Sequence, residues 1–167
     1  DEEIHYPLKV FLCSNCMLVQ LPETVVPKDI FTDYPYFSSY SSNWLNHTSQ
    51  LCEETIKKFS LQRDDLIIEI ASNDGYLLKE FKKNDYNNIL GIEPAKNLAE
   101  LANKNGINTF HGYLDDKALN PIKNGADLLL ASNVFAHADD LKSMAESMKK
   151  LIKPDGKIII EVQHLLN

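Results

Sequence analysis

Three carboxylates stand at spacings that could do binding chemistry: Glu69 and Asp74 within "LIIEIASNDGYLLKEF" (66–81), and Glu93 in "LGIEPA". The first stretch passes from an apolar segment into Ala71, Ser72, Asn73, Asp74 and Gly75, and then into an amphipathic run. A turn of small residues after a buried strand leaves a backbone floor that a ligand can approach closely, and Ala71, Ser72 and Gly75 meet that need. A dinucleotide-binding turn spells G-x-G-x-x-G, so that pyrophosphate can reach a helix N-terminus. Here one glycine remains and Asp74 stands where the anion would sit, so pyrophosphate is repelled. Glu93 lies 24 residues after Glu69, a place from which a carboxylate can accept both hydroxyls of a ribose. A ligand that joins a ribose to a positive centre, such as S-adenosylmethionine, suits this set, with Glu69, Asp74 and Glu93 as an acidic rim. The plainer alternative makes Glu93 a cap on the following helix and Glu69 a solvated residue at a strand end.

Further polar residues fall at the same kind of position. "LLLASNVFAHADDL" (128–141) puts Asn133 at a strand tip, where its amide can line the pocket and hold the methionine end of the cofactor. Pro94, next to Glu93, and Tyr113, in "HGY", complete the expected cofactor lining, with Tyr113 equally suited to a core-edge position. His137 could face substrate or satisfy loop backbone.

Two of the three cysteines form Cys13-x-x-Cys16 in "LCSNCMLVQL". Such a turn brings two thiolates to one metal, and it supplies half of a tetrahedral zinc site. The other ligands could be His5, an upstream pair, or nothing. A redox C-x-x-C opens a helix after a strand, whereas Met17–Leu21 reads as a second short strand of a zinc ribbon. Cys52, alone on a helical pattern, reads as a small buried hydrophobe.

The elements that must position these residues follow from periodicity. Residues 21–44 carry three prolines and the cluster Tyr34, Tyr36 and Tyr40, which predicts an extended linker with turns. A helix follows over Ser41–Phe59. Then strands at Leu66–Ala71, Asn88–Glu93, Ile107–His111, Ala126–Ser132 and Lys157–Val162 alternate with helices at Gly75–Lys83, Ala95–Asn105, near Leu114–Leu119 and at Asp139–Ile152. Gly106 ends one helix, and Pro154-Asp155-Gly156 turns into the last strand. The pattern predicts a doubly wound α/β domain, a parallel sheet covered on both faces. Three regions result: a partial zinc-binding segment (1–22), a linker with its leading helix (23–60) and a Rossmann-like domain (61–167).

Composition agrees with a folded chain: of 167 residues, 44% are hydrophobic and 25% charged. The net charge of −7, with no basic run, argues against nucleic acid as a partner. No apolar stretch reaches the ~20 residues that cross a bilayer, and "DEEIHYPLK" has no signal-peptide character, so a cytoplasmic location with no membrane partner is expected.

Taken together, "FLCSNCMLVQL", "IFTDYPYFSSYSSNW", "EIASNDGYLL", "GIEPA" and "ASNVFAHADDL" resemble the sugar C-methyltransferases of deoxysugar biosynthesis, in the same order over most of the chain. The resemblance implies a zinc-binding domain with four cysteines, a class I S-adenosylmethionine domain, and a further domain that shapes a sugar-nucleotide site. It also implies that a base removes a proton beside the sugar carbonyl and that the enolate attacks the methyl group. The second position of the family's Tyr-Pro-Tyr stretch matches Tyr36, which becomes the expected catalytic residue, a hydrogen-bond donor to the sugar oxyanion. Relative to that pattern the chain starts after the first cysteine pair and stops before the histidine base, since His164 lies too close to the fifth strand to be that base. It therefore reads as truncated, and its partner as a small sugar-nucleotide substrate. Two rival functions remain, a nicotinamide-dependent oxidoreductase and a non-catalytic module that binds a partner protein.

Overall fold

The computed structural model describes residues 5–21, 25, 30–31, 33–114, 122 and 124–163. Near its start, β1 (Phe11–Leu12) and β2 (Val19–Gln20) pair antiparallel, with Phe11 opposite Gln20 and Leu12 opposite Val19. The main body begins with α1 (Ser42–Phe59), capped by the Ser41 hydroxyl, which accepts from the Trp44 N–H at 3.2 Å. It then alternates as β3 (Ile67–Ile70), α2 (Tyr76–Lys83), β4 (Ile89–Glu93), α3 (Lys96–Lys104), β5 (Thr109–His111), β6 (Ala126–Ser132), α4 (Leu141–Leu151) and β7 (Ile152–Glu161).

The five long-range strands form one parallel sheet in the order β5-β4-β3-β6-β7. The chain winds outward from β3 to β5 and returns to β6 beside β3, so the fold is the doubly wound α/β arrangement that the alternation predicts. Its switch point lies between β3 and β6, where loops leave in opposite directions and open a crevice at the carboxyl ends of the strands.

Burial explains why β3 can be so apolar. All four of its residues are buried, because helices cover both faces of the sheet. Ile67 packs with Cys52, Leu77, Phe81, Ile89 and Leu128 on the side of α1 and α2, while Ile68 and Ile70 pack with Leu129, Met148 and Leu151 on the side of α4. Cys52 is fully buried, and burial raises its thiol pKa to about 12, so it serves as a hydrophobe.

Predicted and observed elements differ most at β7. Ala126 pairs with Ile152 but Leu128 pairs with Lys157, so the segment with Pro154, Asp155 and Gly156 loops out as an irregularity within the strand instead of preceding it. Lys153 is anchored there by Asp127, with Nζ 2.7 and 2.8 Å from the two carboxylate oxygens. The helix expected near Leu114–Leu119 falls almost wholly outside the described residues, as do His164 and parts of the linker. Among the described residues no helix is long and apolar enough to cross a membrane.

Candidate functional site

The crevice is a cavity of about 580 Å³ at the carboxyl edge of the sheet. Each strand contributes its tip: Ile70, Ala71 and Asn73 after β3, Glu93 and Pro94 at β4, Tyr113 after β5, Asn133 after β6, and Gln163 after β7.

The loop after β3 is shaped by three residues in the left-handed region. Ala71 has φ 52°, Asn73 φ 52° and Gly75 φ 79°. Alternate left-handed residues make the tight corner into α2, and Gly75 sits so close to Ile107 that a Cβ there would lie 3.0 Å from its side chain. Asparagine tolerates this conformation better than most residues, whereas alanine adopts it at a cost. Below the loop, Gly91 of β4 leaves the space that Ser72 fills; a Cβ at that position would stand 2.8 Å from Thr109 Oγ1 and closer still to the Ser72 hydroxyl.

Glu93 is the carboxylate at the cavity wall. It is buried, and each oxygen accepts one main-chain N–H: Oε2 from Asn73 and Oε1 from Ala95, both at 2.7 Å. Burial raises its pKa, the two N–H groups work against that shift, and the charge of Asp74 adds to it. Each oxygen keeps a second lone pair, which suits it to accept a pair of ligand hydroxyls. The capping and ligand roles considered for Glu93 are thus compatible, since its bond to Ala95 N lies at the start of α3.

Glu69 and Asp74 do not form a rim with it. Glu69 is fully buried in β3, opposite Gly91 and Leu130, and is absent from the cavity wall. Neither of its oxygens has a hydrogen-bond partner among the described residues. Burial, then the charge of Glu93, pushes its carboxyl well above the ordinary range, with partial relief from the nearby Tyr76 phenol. Asp74 is also buried; its Oδ2 accepts from the Ser39 hydroxyl, while its Oδ1 and the Ser72 hydroxyl lack partners. Ser72, Asp74 and Gly75 lie behind the wall and not on it.

Among the other expected residues, Ala71, Asn73, Pro94, Tyr113 and Asn133 line the cavity, as do His137 and Tyr36. Tyr36 is 53% exposed and meets Tyr34 edge-on at 6.5 Å between ring centroids. Asn133 Oδ1 accepts from Gln163 Nε2 at 3.0 Å. Sequence reading passed over Trp44 and Tyr76, which line the cavity from α1 and α2, and over Asn97, whose amide grips the linker. Trp44 and Tyr76 read as helix core faces, and an asparagine in a helix's first turn carries no distinctive spacing.

Two groups can be tested against these residues. No Lys or Arg lines the cavity among the described residues, while Glu93, Asp139 and Asp140 do. An Asp74 carboxylate oxygen with no hydrogen-bond partner among the described residues lies just behind it. That surrounding fits a ligand with ribose hydroxyls and positive charge, as S-adenosylmethionine has. For zinc, Cys13 and Cys16 lie on one turn, closed by Met17 N donating to Cys13 O at 2.9 Å. Hydrogen bonds from the Cys16 and Asn15 main chain lower the Cys13 thiol pKa, as thiolate ligation needs. Among the described residues no third His, Cys, Asp or Glu joins them, so they fit half of a site.

Comparison with known proteins agrees with the fold. A family described as "Putative zinc binding domain" matches residues 1–31. The C-methyltransferase NovU of Streptomyces niveus is 29% identical over 167 residues, covering 98% of this chain and 40% of NovU. The chain thus spans about two fifths of that relative's length. Among solved structures, DesVI of Streptomyces venezuelae superposes with a TM-score of 0.59 at 12% identity, covering 74% of this chain and 52% of DesVI. The glycopeptide N-methyltransferase MtfA, complexed with sinefungin, gives a TM-score of 0.56 at 14% identity over 77% of this chain and 55% of MtfA. The family described as "Methyltransferase domain" matches residues 44–166, from the first turn of α1 to beyond β7, and the chain belongs to that family.

Proposed function

We propose that this chain is the cofactor-binding part of an S-adenosylmethionine-dependent methyltransferase acting on a carbon of a nucleotide-linked keto-deoxysugar in the cytoplasm. The observation that carries the cofactor assignment is Glu93: a buried carboxylate at the tip of β4, fixed by two main-chain N–H groups, in a cavity with no lysine or arginine among the described lining residues. The sugar assignment rests on the motifs shared with sugar C-methyltransferases and on the likeness to NovU, whose name states C-methylation.

S-adenosylmethionine, when bound, supplies a methyl group on a sulfonium. Glu93 would hold the ribose hydroxyls, Ala71 and Asn133 would border the sulfur and methionine portion, and Tyr113 with Pro94 would flank the adenine. Tyr36, on the linker at the cavity mouth, would donate its phenolic hydrogen to the oxygen of the sugar enolate. The zinc-type segment with Cys13 and Cys16 would stabilise its own small hairpin.

Calorimetric titration tests the assignment. S-adenosylhomocysteine is expected to bind saturably, Glu93→Ala is expected to weaken it by at least ~10-fold through loss of two charge-assisted hydrogen bonds, and NAD is expected to give no saturable heat. Tighter binding of NAD than of S-adenosylhomocysteine would place the chain among oxidoreductases instead.

A further inference from the structure

The linker segment Tyr34–Tyr40 crosses the crevice next to the tips of β3 and β4 without joining the sheet. Its main chain is held by two asparagine side chains. Asn97, in the first turn of α3, pairs with Tyr34 in both directions: Tyr34 N donates to Oδ1 at 3.2 Å, and Nδ2 donates to Tyr34 O at 2.9 Å. Asn73, in the loop after β3, takes the next stretch: Ser38 N donates to Oδ1 at 2.9 Å, and Nδ2 donates to Tyr36 O at 3.1 Å. The Ser39 hydroxyl donates to Asp74 Oδ2. A primary amide offers the donor and acceptor that a peptide group offers, so each asparagine replaces one rung of a strand ladder.

Because the asparagine tethers grip main-chain atoms, they fix the path of the segment without engaging the Tyr36 side chain. Tyr36 lies between the attachments at Tyr34 and Ser38, its own carbonyl held by Asn73, and its side chain lines the cavity. The Asn73 side chain has little capacity left for a ligand. Its Oδ1 already accepts from Ser38 N and Asp74 N, and one of its two amide hydrogens goes to Tyr36 O. Its own main-chain N–H meanwhile donates to Glu93 Oε2. One residue therefore touches both the wall carboxylate and the linker.

We infer that Asn73 and Asn97 are positioning residues that suspend Tyr36 over the crevice, and that Asn73 couples occupancy at Glu93 to the order of the 34–40 segment. The identity of the occupant rests on the function proposed above; the tether itself does not. The coupling is reciprocal, so a ligand that firms the Glu93–Asn73 contact also firms the segment.

Asn73→Gly tests this cleanly, because glycine adopts the positive φ of that position and keeps the main-chain N–H to Glu93 while losing both side-chain tethers. Asn97→Ala removes the other attachment. Hydrogen exchange of the full chain is read at residues 34–40 and at β3 and β4, with and without S-adenosylhomocysteine. Expected is at least ~10-fold faster exchange at Ser38 in Asn73→Gly and at Tyr34 in Asn97→Ala, with β3 and β4 unchanged. In the wild type the ligand slows exchange across 34–40, and in Asn73→Gly it does not. In the full-length enzyme kcat of Asn73→Gly falls at least ~10-fold, by a clearly larger factor than its affinity for S-adenosylhomocysteine.

Unchanged exchange at 34–40 in both variants would overturn the inference. So would a loss of S-adenosylhomocysteine affinity as large as the loss of kcat, which would make Asn73 a direct cofactor ligand. If the wild type binds no S-adenosylhomocysteine, the proposed function fails, while the exchange comparison without ligand still decides the tether.

Discussion

At the scale of single residues, the site combines backbone strain with buried charge. Ala71 occupies the left-handed region at φ 52°, a conformation that costs a non-glycine residue about 1–2 kcal/mol. Glycine there removes that cost but loses about 0.5–1 kcal/mol to its freer unfolded chain. Ala71→Gly should therefore stabilise the fold by roughly 0.5–1 kcal/mol, read as a rise in Tm of roughly 1–4 °C for a chain of this size; a fall in Tm would show that the alanine methyl packs usefully against the cavity wall. Glu69 carries the larger liability, a carboxyl with no hydrogen-bond partner among the described residues, in the middle of a covered sheet. Burial and the Glu93 charge raise its folded pKa above the ordinary value of 4.5. Between the unfolded and folded values the folded chain binds the extra proton, so stability falls as pH rises through that window. Glu69→Gln has no such proton to lose. Thermal melts from pH 4.5 upward should show the variant gaining on the wild type as pH increases, and the opposite trend would mean that Glu69 is ionised and compensated.

At the scale of elements, period and punctuation were enough to read most of the scaffold. The apolar run of β3, the helical faces of α2 and α3 and the starts of α1 and α4 are local signals, and each lies within two residues of its expected place. The acidic tip of β4 was legible for the same reason, since a strand's last residue can be counted from its pattern. Three features were not legible because they are set between distant residues. The irregularity in β7 depends on its pairing with Ala126 and Leu128, which a turn signal at Pro154-Asp155-Gly156 cannot reveal. Glu69 was read near a strand end because nothing in "LIIEIA" tells how much cover the neighbouring helices provide. The path of the Tyr34–Tyr40 segment depends on amides at 73 and 97, between 35 and 63 residues away in sequence. Proline content announced an irregular linker but could not say what would hold it.

At the scale of the whole molecule, the winding sorts charge. Crossover helices run antiparallel to the strands they connect, so their last turns lie at the amino edge of the sheet, opposite the crevice. Those turns carry Lys82 and Lys83 in α2, Lys104 in α3, and Lys149 and Lys150 in α4, where positive charge also complements the helix dipole. Nearer the crevice, Lys96 and Lys142 each face a carboxylate one turn on, Glu100 at 3.7 Å and Glu146 at 4.0 Å. The lining itself contributes Glu93, Asp139 and Asp140. A chain of net charge −7 thus turns its more negative edge toward the ligand. Such a field attracts a cation and discriminates between two nearly identical nucleosides, because S-adenosylmethionine bears one positive charge more than S-adenosylhomocysteine. Salt screens that difference, with a Debye length of about 10 Å at 0.1 M and about 3 Å at 1 M. Raising the ionic strength from about 0.02 to 0.5 M should therefore weaken S-adenosylmethionine binding by roughly 3-fold or more while S-adenosylhomocysteine binding changes much less. Parallel titrations of the two ligands across that range measure it directly. Equal salt dependence would mean that the sulfonium sits beyond the reach of these carboxylates, and a steeper dependence for the neutral homologue would reverse the assigned sign of the crevice.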